Sequence, residues 1–172
     1  EILVKFEAVN IGGSVKTRTA YNMILAAERT GLLNQDSVIV EPTSGNQGIG
    51  LALVCAVRGY KAVIIMPDSV SEERRKIVQH YGAEVILIHD DGDIGECIRA
   101  CAKRAAQMAA EDPHVFVPGQ FENPANPEAH LVHTAVEILE QAGKPIHGFC
   151  CGVGTGGTIS GIGKMLKSEN PD

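Results

Sequence analysis

The stretch SVIVEPTSGNQGIGLALVCAVRGYKAVIIM, residues Ser37–Met66, decides the fold. It opens with a short apolar run, Ser37–Glu41, continues with a longer helix-like segment, Asn46–Arg58, and closes with a second apolar run, Lys61–Met66. Continuous apolar runs of this length are typical of strands buried on both faces of a parallel sheet, and an intervening helix completes a βαβ unit. The stretch therefore predicts an α/β fold built on a parallel sheet.

The same alternation extends in both directions from this unit. Strands are predicted at 37–41, 61–66, 84–88, 114–117 and 146–151, and helices at 19–30, 46–58, 71–81, 94–110, 127–142 and 156–167. Residues 1–6 also have the apolar character of a strand. Four of the helices are each followed by a glycine that can end them in the left-handed conformation. These glycines are Gly31, Gly59, Gly82 and Gly143.

Composition narrows the class of protein. The chain has 172 residues, about one domain at ~150 residues per domain. Hydrophobic residues make up 44% and charged residues 21%, as in globular rather than disordered proteins. A net charge of −6 with scattered basic residues argues against a nucleic-acid or anionic-membrane partner. No apolar run approaches the ~18 residues that span a bilayer, so we expect a cytoplasmic protein.

The cysteines and histidines form no metal-binding pattern. The five cysteines lack disulfide-scaffold or CxxC spacing, and we expect reduced core residues. They are Cys55, Cys97, Cys101, Cys150 and Cys151. His130 and His133 have HxxH spacing rather than the i, i+4 spacing of a zinc protease, which favours packing over ligation. We predict no metal site.

Glycine is in surplus and clustered, and the first cluster precedes a lysine. Glycines number 19, about 11% of the chain against a usual ~7%. In Asn10–Arg18, NIGGSVKTR, Lys16 stands at the start of a predicted helix. The positive end of a helix disfavours a second positive charge and lowers an ammonium pKa, and a neutral amine can attack a carbonyl to form a Schiff base. A solvated lysine in a glycine-rich turn is the simpler alternative.

The second cluster, Glu41–Gly50, leads from a strand directly into a helix. Thr43, Ser44 and Asn46 offer side-chain donors, and the turn offers backbone N–H groups at the positive helix end. The carboxyl ends of strands are where α/β proteins bind ligands. The pattern predicts a site for a small carboxylate, although ordinary helix capping would also account for it.

The third cluster, Cys151–Thr158 with sequence CGVGTGGT, again joins a predicted strand to a helix. Its successive N–H groups and two threonine hydroxyls suit a phosphate and require no metal ion. It also satisfies GxGxxG, so dinucleotide binding stays open, although the acidic residue expected ~20 positions later would lie beyond Asp172. A carbonyl-seeking lysine, a carboxylate turn and a phosphate cradle together point to pyridoxal phosphate with an amino acid.

On these residues the chain resembles the cysteine synthase (O-acetylserine sulfhydrylase) and cystathionine β-synthase family of fold type II pyridoxal-phosphate enzymes. The motifs that carry the resemblance run nearly end to end. They are GGSVK (Gly12–Lys16), EPTSGNQGIG (Glu41–Gly50), RGYKA (Arg58–Ala62), MPDSVSEERRK (Met66–Lys76), YGAEVIL (Tyr81–Leu87), QFENPANPEAH (Gln120–His130) and GVGTGGTISGIGK (Gly152–Lys164). Two positions depart from the family pattern, Thr17 and Gln47. At the position of Gln47 the sulfhydrylases generally carry threonine.

The resemblance implies a role for each matched site residue. Lys16 would bind the cofactor aldehyde as a Schiff base and later remove the substrate α-proton, and Asn46 would hydrogen-bond the ring hydroxyl oxygen. The cofactor phosphate would be held by Gly154, Thr155, Gly156, Gly157 and Thr158. The substrate carboxylate would be held by Thr43, Ser44, Gly45, Gln47 and Gln120.

The implied reaction is a β-replacement that forms L-cysteine from O-acetyl-L-serine, or a related activated serine, and sulfide through an aminoacrylate. Cystathionine β-synthase or another β-substituted alanine synthase is an alternative. An inert fold type II relative serving as a binding or assembly module is another. The family implies a homodimer and suggests serine acetyltransferase as a partner.

The resemblance also implies the tryptophan synthase β-subunit-like architecture, with one lobe nearly complete and the second partial. Residues 1–10 would supply a strand of the second lobe, and residues 11–122 would form the smaller substrate-binding lobe. Residues 123–172 would begin the cofactor-phosphate-binding lobe. We therefore expect the chain to be a piece of a larger protein.

Overall fold

Four parallel strands form one sheet in a computed structural model that describes residues 1–170. The strands are β1 (Val38–Pro42), β2 (Lys61–Pro67), β3 (Glu84–Ile88) and β4 (Val115–Phe116), in the spatial order β3-β2-β1-β4. The helices are α1 (Lys16–Arg29), α2 (Asn46–Arg58), α3 (Glu72–His80), α4 (Ile94–Glu111), α5 (Ala125–Ala129), α6 (Ala135–Ala142) and α7 (Gly157–Glu169). A 3₁₀ turn covers Glu7–Val9, and a π-helical turn, His130–Thr134, joins α5 to α6.

Both faces of the sheet are covered, as the apolar strands predict. Ile39 and Ile64 pack with α1 and α2 on one face, while Val40 and Ile65 pack with α4 on the other. Successive residues of a strand point to opposite faces, so a strand buried on both sides must be apolar throughout. The predicted α/β parallel-sheet fold is confirmed.

Two predicted strands are absent from the part of the chain that the structure describes. Residues 1–6 and 146–151 have no regular structure, because neither segment has a neighbouring strand to pair with in residues 1–170. The apolar side chains of the first segment are largely exposed, with Ile2 at 91%. Cys150 is exposed as well, which corrects the expectation that all five cysteines lie in the core.

The helix predicted at 127–142 starts earlier and is divided into α5, the π-helical turn and α6. Just before it, Asn123 Oδ1 accepts a hydrogen bond from the N–H of Ala125, the first residue of α5, at 2.9 Å. The earlier start places Asn126 inside the helix and fully buried. Helices α5 and α7 pack against each other, and α5 also packs against α1. The division into lobes at 122/123 stays a prediction.

Candidate active site

Lys16 is the first residue of α1, and its backbone is fixed by the close approach of α2. A Cβ atom at Gly50 would lie 2.7 Å from the carbonyl oxygen of Lys16, so only glycine fits there without displacing one of the helices. The Lys16 N–H also donates to Ser14 Oγ at 3.2 Å. The packing of α1 on α2 thus determines where the lysine side chain starts.

The Lys16 amine is half-buried and less basic than a free lysine. Burial lowers the pKa of Lys16, and the nearby carboxylate of Glu41 opposes that shift. The sequence predicted the direction from the helix end, whereas removal from water is the main cause in the structure. A lysine that gives up its proton more readily is a better nucleophile and base at neutral pH.

Glu41 ends the buried part of β1 and joins it to the segment before α5. Its carboxylate accepts hydrogen bonds from the N–H groups of Gly119 at 2.9 Å and Gln120 at 3.2 Å. Burial raises the pKa of Glu41, and both hydrogen bonds and Lys16 counteract the shift. Sequence reasoning gave Glu41 no role, although a charged residue at the end of an apolar run was a visible signal.

The loop between β1 and α2 gathers the predicted carboxylate ligands. Thr43 Oγ1 accepts hydrogen bonds from the Gly45 N–H at 3.2 Å and from Gln120 Nε2 at 3.4 Å. Arg74 of α3 donates to the Ser44 carbonyl oxygen at 3.1 Å. The structure therefore brings Gln120 to this loop, as the resemblance implies. Asn46, the first residue of α2, has an exposed side chain.

Gln47 departs from the family pattern and points into the protein. Its side chain is fully buried, with Oε1 lying 2.8 Å from the Thr19 hydroxyl oxygen. That hydroxyl oxygen also lies 3.1 Å from the Lys16 carbonyl oxygen. Gln47 Nε2 has no hydrogen-bond partner within residues 1–170. The amide nitrogen thus keeps both of its N–H donors unpaired within the described residues, next to the helix that carries the lysine.

The loop before α7 has the open backbone that a phosphate requires. A Cβ atom at Gly154 or Gly156 would meet nothing within 4 Å, and Gly156 has a φ of +80°, which favours glycine. Thr155 Oγ1 accepts a hydrogen bond from the Gly157 N–H at 3.4 Å. A cavity of about 120 Å³ lies between this loop and the segment that begins at Gln120.

Asn126 connects the loop before α7 to Gln120, a contact that sequence reasoning missed. Its Nδ2 group donates to the Gln120 carbonyl oxygen at 2.8 Å and to Thr155 Oγ1 at 2.9 Å. Its Oδ1 is buried without a partner within residues 1–170, and a Cβ atom at Gly157 would lie 2.1 Å from it. Lys16, Glu41, Gln120 and Asn126 thus bring the three glycine clusters into one polar site.

Two negative findings apply to the residues that the structure describes. Across residues 1–170, no group of three or more His, Cys, Asp or Glu side chains is arranged to hold a metal ion. None of the helices described is long and apolar enough to cross a membrane.

The whole chain, residues 1–172, matches the family model described as pyridoxal-phosphate dependent enzyme. A cysteine synthase of Staphylococcus aureus is 51% identical over 173 residues, which cover 100% of this chain and 54% of the relative. A probable cysteine synthase of Bacillus subtilis is 47% identical, with coverage of 100% and 55%. The chain spans about half the length of the curated relatives it matches.

Solved structures show the same likeness. A hydrogen sulfide-producing enzyme from Fusobacterium nucleatum superimposes with a TM-score of 0.90 at 46% identity, over 97% of this chain and 53% of that one. An O-acetylserine dependent cystathionine β-synthase from Helicobacter pylori gives 0.88 at 36% identity, over 96% and 53%.

Proposed function

The chain belongs to the family of pyridoxal-phosphate dependent enzymes, and on that premise we propose that the whole protein forms L-cysteine from O-acetyl-L-serine and sulfide by β-replacement. The observation that carries the proposal is Lys16, a half-buried lysine of lowered pKa next to the loop that gathers Thr43 and Gln120. The fold type II architecture expected from the sequence is confirmed by the likeness to solved structures.

The residues of the site fit pyridoxal 5′-phosphate, the cofactor of the family. Lys16 would hold the aldehyde carbon through Nζ, and its weakened basicity favours that bond. The open backbone at Gly154 and Gly156, with the first turn of α7, would hold the phosphate. Thr155, Gly157 and Thr158 complete this phosphate loop, and Asn46 would hydrogen-bond the ring hydroxyl oxygen.

The chain's own groups perform the positioning and the proton transfer. When bound, the cofactor supplies an electron sink that lets the Cα–H bond of the amino acid ionise and the β-substituent leave. Lys16 Nζ would take the Cα proton, because burial lowers the pKa of its amine and so makes the neutral form, which can act as a general base, easier to reach. The carboxylate of the amino acid would be held by Thr43, Ser44, Gly45, Gln47 and Gln120.

A second candidate function uses the same site with a larger nucleophile. The likeness to an O-acetylserine dependent cystathionine β-synthase favours it, because that structure shares this fold at 36% identity. An inert relative is disfavoured by the presence of Lys16, and the family match argues against a dinucleotide-dependent oxidoreductase.

We also propose that the protein acts in the cytoplasm as a homodimer, with serine acetyltransferase as a further partner. The apolar side chains of Ile2, Val4 and Phe6 are 91%, 80% and 66% exposed. Exposed apolar side chains of this kind support the proposal that another protein surface packs over them. The same side chains are consistent with residues 1–10 contributing to a second lobe.

The full-length protein with added pyridoxal 5′-phosphate tests the function. O-acetylserine with sulfide should yield cysteine, and Lys16→Ala should lower the rate by ~10² or more and remove the visible absorption band of lysine-bound cofactor. Lys164→Ala, which changes an exposed lysine of α7, is the matched control and should leave both unchanged. Faster turnover of serine with homocysteine would instead select the second function, and an absent absorption band in the unmodified protein would select the inert module.

A further inference from the structure

His130 is a fully buried histidine held between two threonines. It begins the π-helical turn after α5, with Nδ1 lying 3.1 Å from Thr134 Oγ1 and Nε2 lying 3.3 Å from Thr158 Oγ1. Thr158 is the second residue of α7 and belongs to the phosphate loop. The imidazole therefore links a buried hydroxyl on one side to a phosphate-loop hydroxyl on the other.

Packing leaves the imidazole little freedom to move. A Cβ atom at Gly161 would lie 2.7 Å from the Cβ of His130, so α7 rests directly on the base of the histidine side chain. Each ring nitrogen lies within hydrogen-bonding distance of one threonine, so the two possible arrangements differ in which nitrogen carries the proton.

The ring is neutral near pH 7, so only one nitrogen carries a proton. Burial lowers the pKa of His130 to about 4, the cations Lys16 and Arg18 act in the same direction, and Glu7 opposes them. Two arrangements are then open. In the first, Thr134 donates to Nδ1 and Nε2–H donates to Thr158. In the second, Thr158 donates to Nε2 and Nδ1–H donates to Thr134.

A phosphate distinguishes the two arrangements. Ionised phosphate oxygens accept hydrogen bonds and donate none, so a hydroxyl that contacts them must supply its proton. Thr158 can donate its proton to the phosphate only when its oxygen accepts a hydrogen bond from His130 Nε2–H. In the other arrangement the same proton is donated to His130 Nε2. Thr134 would select the first arrangement by donating to the opposite nitrogen.

We propose that Thr134, His130 and Thr158 form a directed hydrogen-bond chain that turns the Thr158 hydroxyl into a donor toward the cofactor phosphate. His130 and Thr134 are positioning residues in this chain, since they act on the phosphate only through Thr158. The inference rests on the proposed function, because it takes the loop before α7 as the phosphate site.

The test replaces Thr134 with valine, which keeps the shape of the side chain and removes the hydroxyl. Dissociation constants are measured in the full-length protein for pyridoxal 5′-phosphate and for pyridoxal, which lacks the phosphate. Thr134→Val should weaken binding of the phosphorylated ligand by about three- to tenfold and leave pyridoxal unchanged. Thr30→Val, which removes a hydroxyl bonded to the carbonyl oxygen of Ala26 at the end of α1, is the control and should change neither constant.

Two further measurements make the outcome specific. In a Thr158→Val background, Thr134→Val should have no additional effect on phosphate-dependent affinity. The ¹⁵N shifts of His130 should show a protonated Nε2 and an unprotonated Nδ1. The opposite tautomer, or a loss of affinity for pyridoxal equal to that for the phosphorylated ligand, would overturn the inference.

The two levels of the proposal fail in different ways. An unmodified protein that binds both ligands equally would overturn the phosphate-loop assignment together with this inference. If Thr134→Val leaves the preference for the phosphorylated ligand unchanged, the inference is overturned but the phosphate-loop assignment is not.

Discussion

Gly161→Ala tests whether the phosphate loop is positioned by the packing of α7 on α5. A Cβ atom at this position would lie 2.3 Å from the carbonyl oxygen of Pro127 and 2.9 Å from the N–H nitrogen of Leu131. Both atoms belong to the backbone, which cannot rotate away as the end of a flexible side chain can. Ordinary contact begins near 3.4 Å, so α7 would have to move by ~1 Å from its neighbour.

The magnitude follows from two opposing effects. Replacing glycine with alanine inside a helix stabilises it by ~1 kcal/mol, whereas forcing an extra methyl group into a packed core costs ~1–3 kcal/mol. Gly163 lies in the same helix, and a Cβ atom there would meet nothing within 4 Å. Gly163→Ala should therefore be stabilised by the higher helix propensity of alanine and suffer no clash. The free energy of unfolding of Gly161→Ala should be lower than that of Gly163→Ala by ~1–3 kcal/mol, which is the cost of the clash.

The assay is thermal or urea unfolding of the two variants under identical conditions. For a chain of this size each kcal/mol corresponds to ~2–4 °C in Tm, so Gly161→Ala should unfold several degrees below Gly163→Ala. It should also bind pyridoxal 5′-phosphate more weakly, since α7 starts at the phosphate loop. Equal stability of the two variants would show that α7 does not pack against α5 as described.

Three further predictions concern side chains elsewhere in the molecule. Arg18 and Lys5 lower the pKa of Glu137 to about 2, so its stabilising contribution should be present above the unfolded value near 4.5 and be lost as the pH falls toward 2. Glu137→Gln should reduce the fall in the free energy of unfolding between pH 4.5 and pH 2, whereas the exposed control Glu140→Gln should leave that fall unchanged. Burial raises the pKa of the Cys55 thiol to about 12, so a thiol reagent at pH 8 should modify exposed Cys150 first, and Cys150→Ser rather than Cys55→Ser should remove the fast phase. Gln47→Met should raise the KM for the amino acid by ~10-fold if Nε2 holds the carboxylate, and an unchanged KM would leave that carboxylate to Thr43 and Gln120.

The sequence predicted the strands that have partners, whereas the two predicted segments without partners form no strand in residues 1–170. The predicted 84–88 strand agrees with β3, and the others in the sheet differ by at most one residue at each end. Residues 146–151 are as apolar as β1, yet they form no strand in the described chain. Periodicity detects a segment that can be buried, whereas a strand also needs a neighbour with free backbone groups, which no local pattern reveals.

The sequence could suggest roles for Lys16 and the glycine loops because the signals are local: a lysine at a helix start, or successive glycines after a strand, appears within ten residues. The contacts of Asn126 and His130 were not predictable, because they join distant parts of the chain, and Glu41 showed in the sequence only as a charged residue at the end of an apolar run. Glu41 and Gln120 are 79 positions apart, and Asn126 and Thr155 are 29 apart. The cause of the low Lys16 pKa was likewise misjudged, since burial depends on how α1 and α2 meet.

Those distant contacts explain why a buried asparagine is retained with one unsatisfied acceptor. An unpaired buried oxygen costs ~1–3 kcal/mol, so Asn126 Oδ1 would be better replaced if its only task were to fill space. Its Nδ2 group, however, donates to the Gln120 carbonyl oxygen, which an apolar side chain would leave without this partner, and to Thr155 Oγ1, which otherwise accepts only the longer hydrogen bond from the Gly157 N–H. The same amide joins the segment of Gln120 to the loop before α7, so one buried side chain connects the two sides of the proposed site.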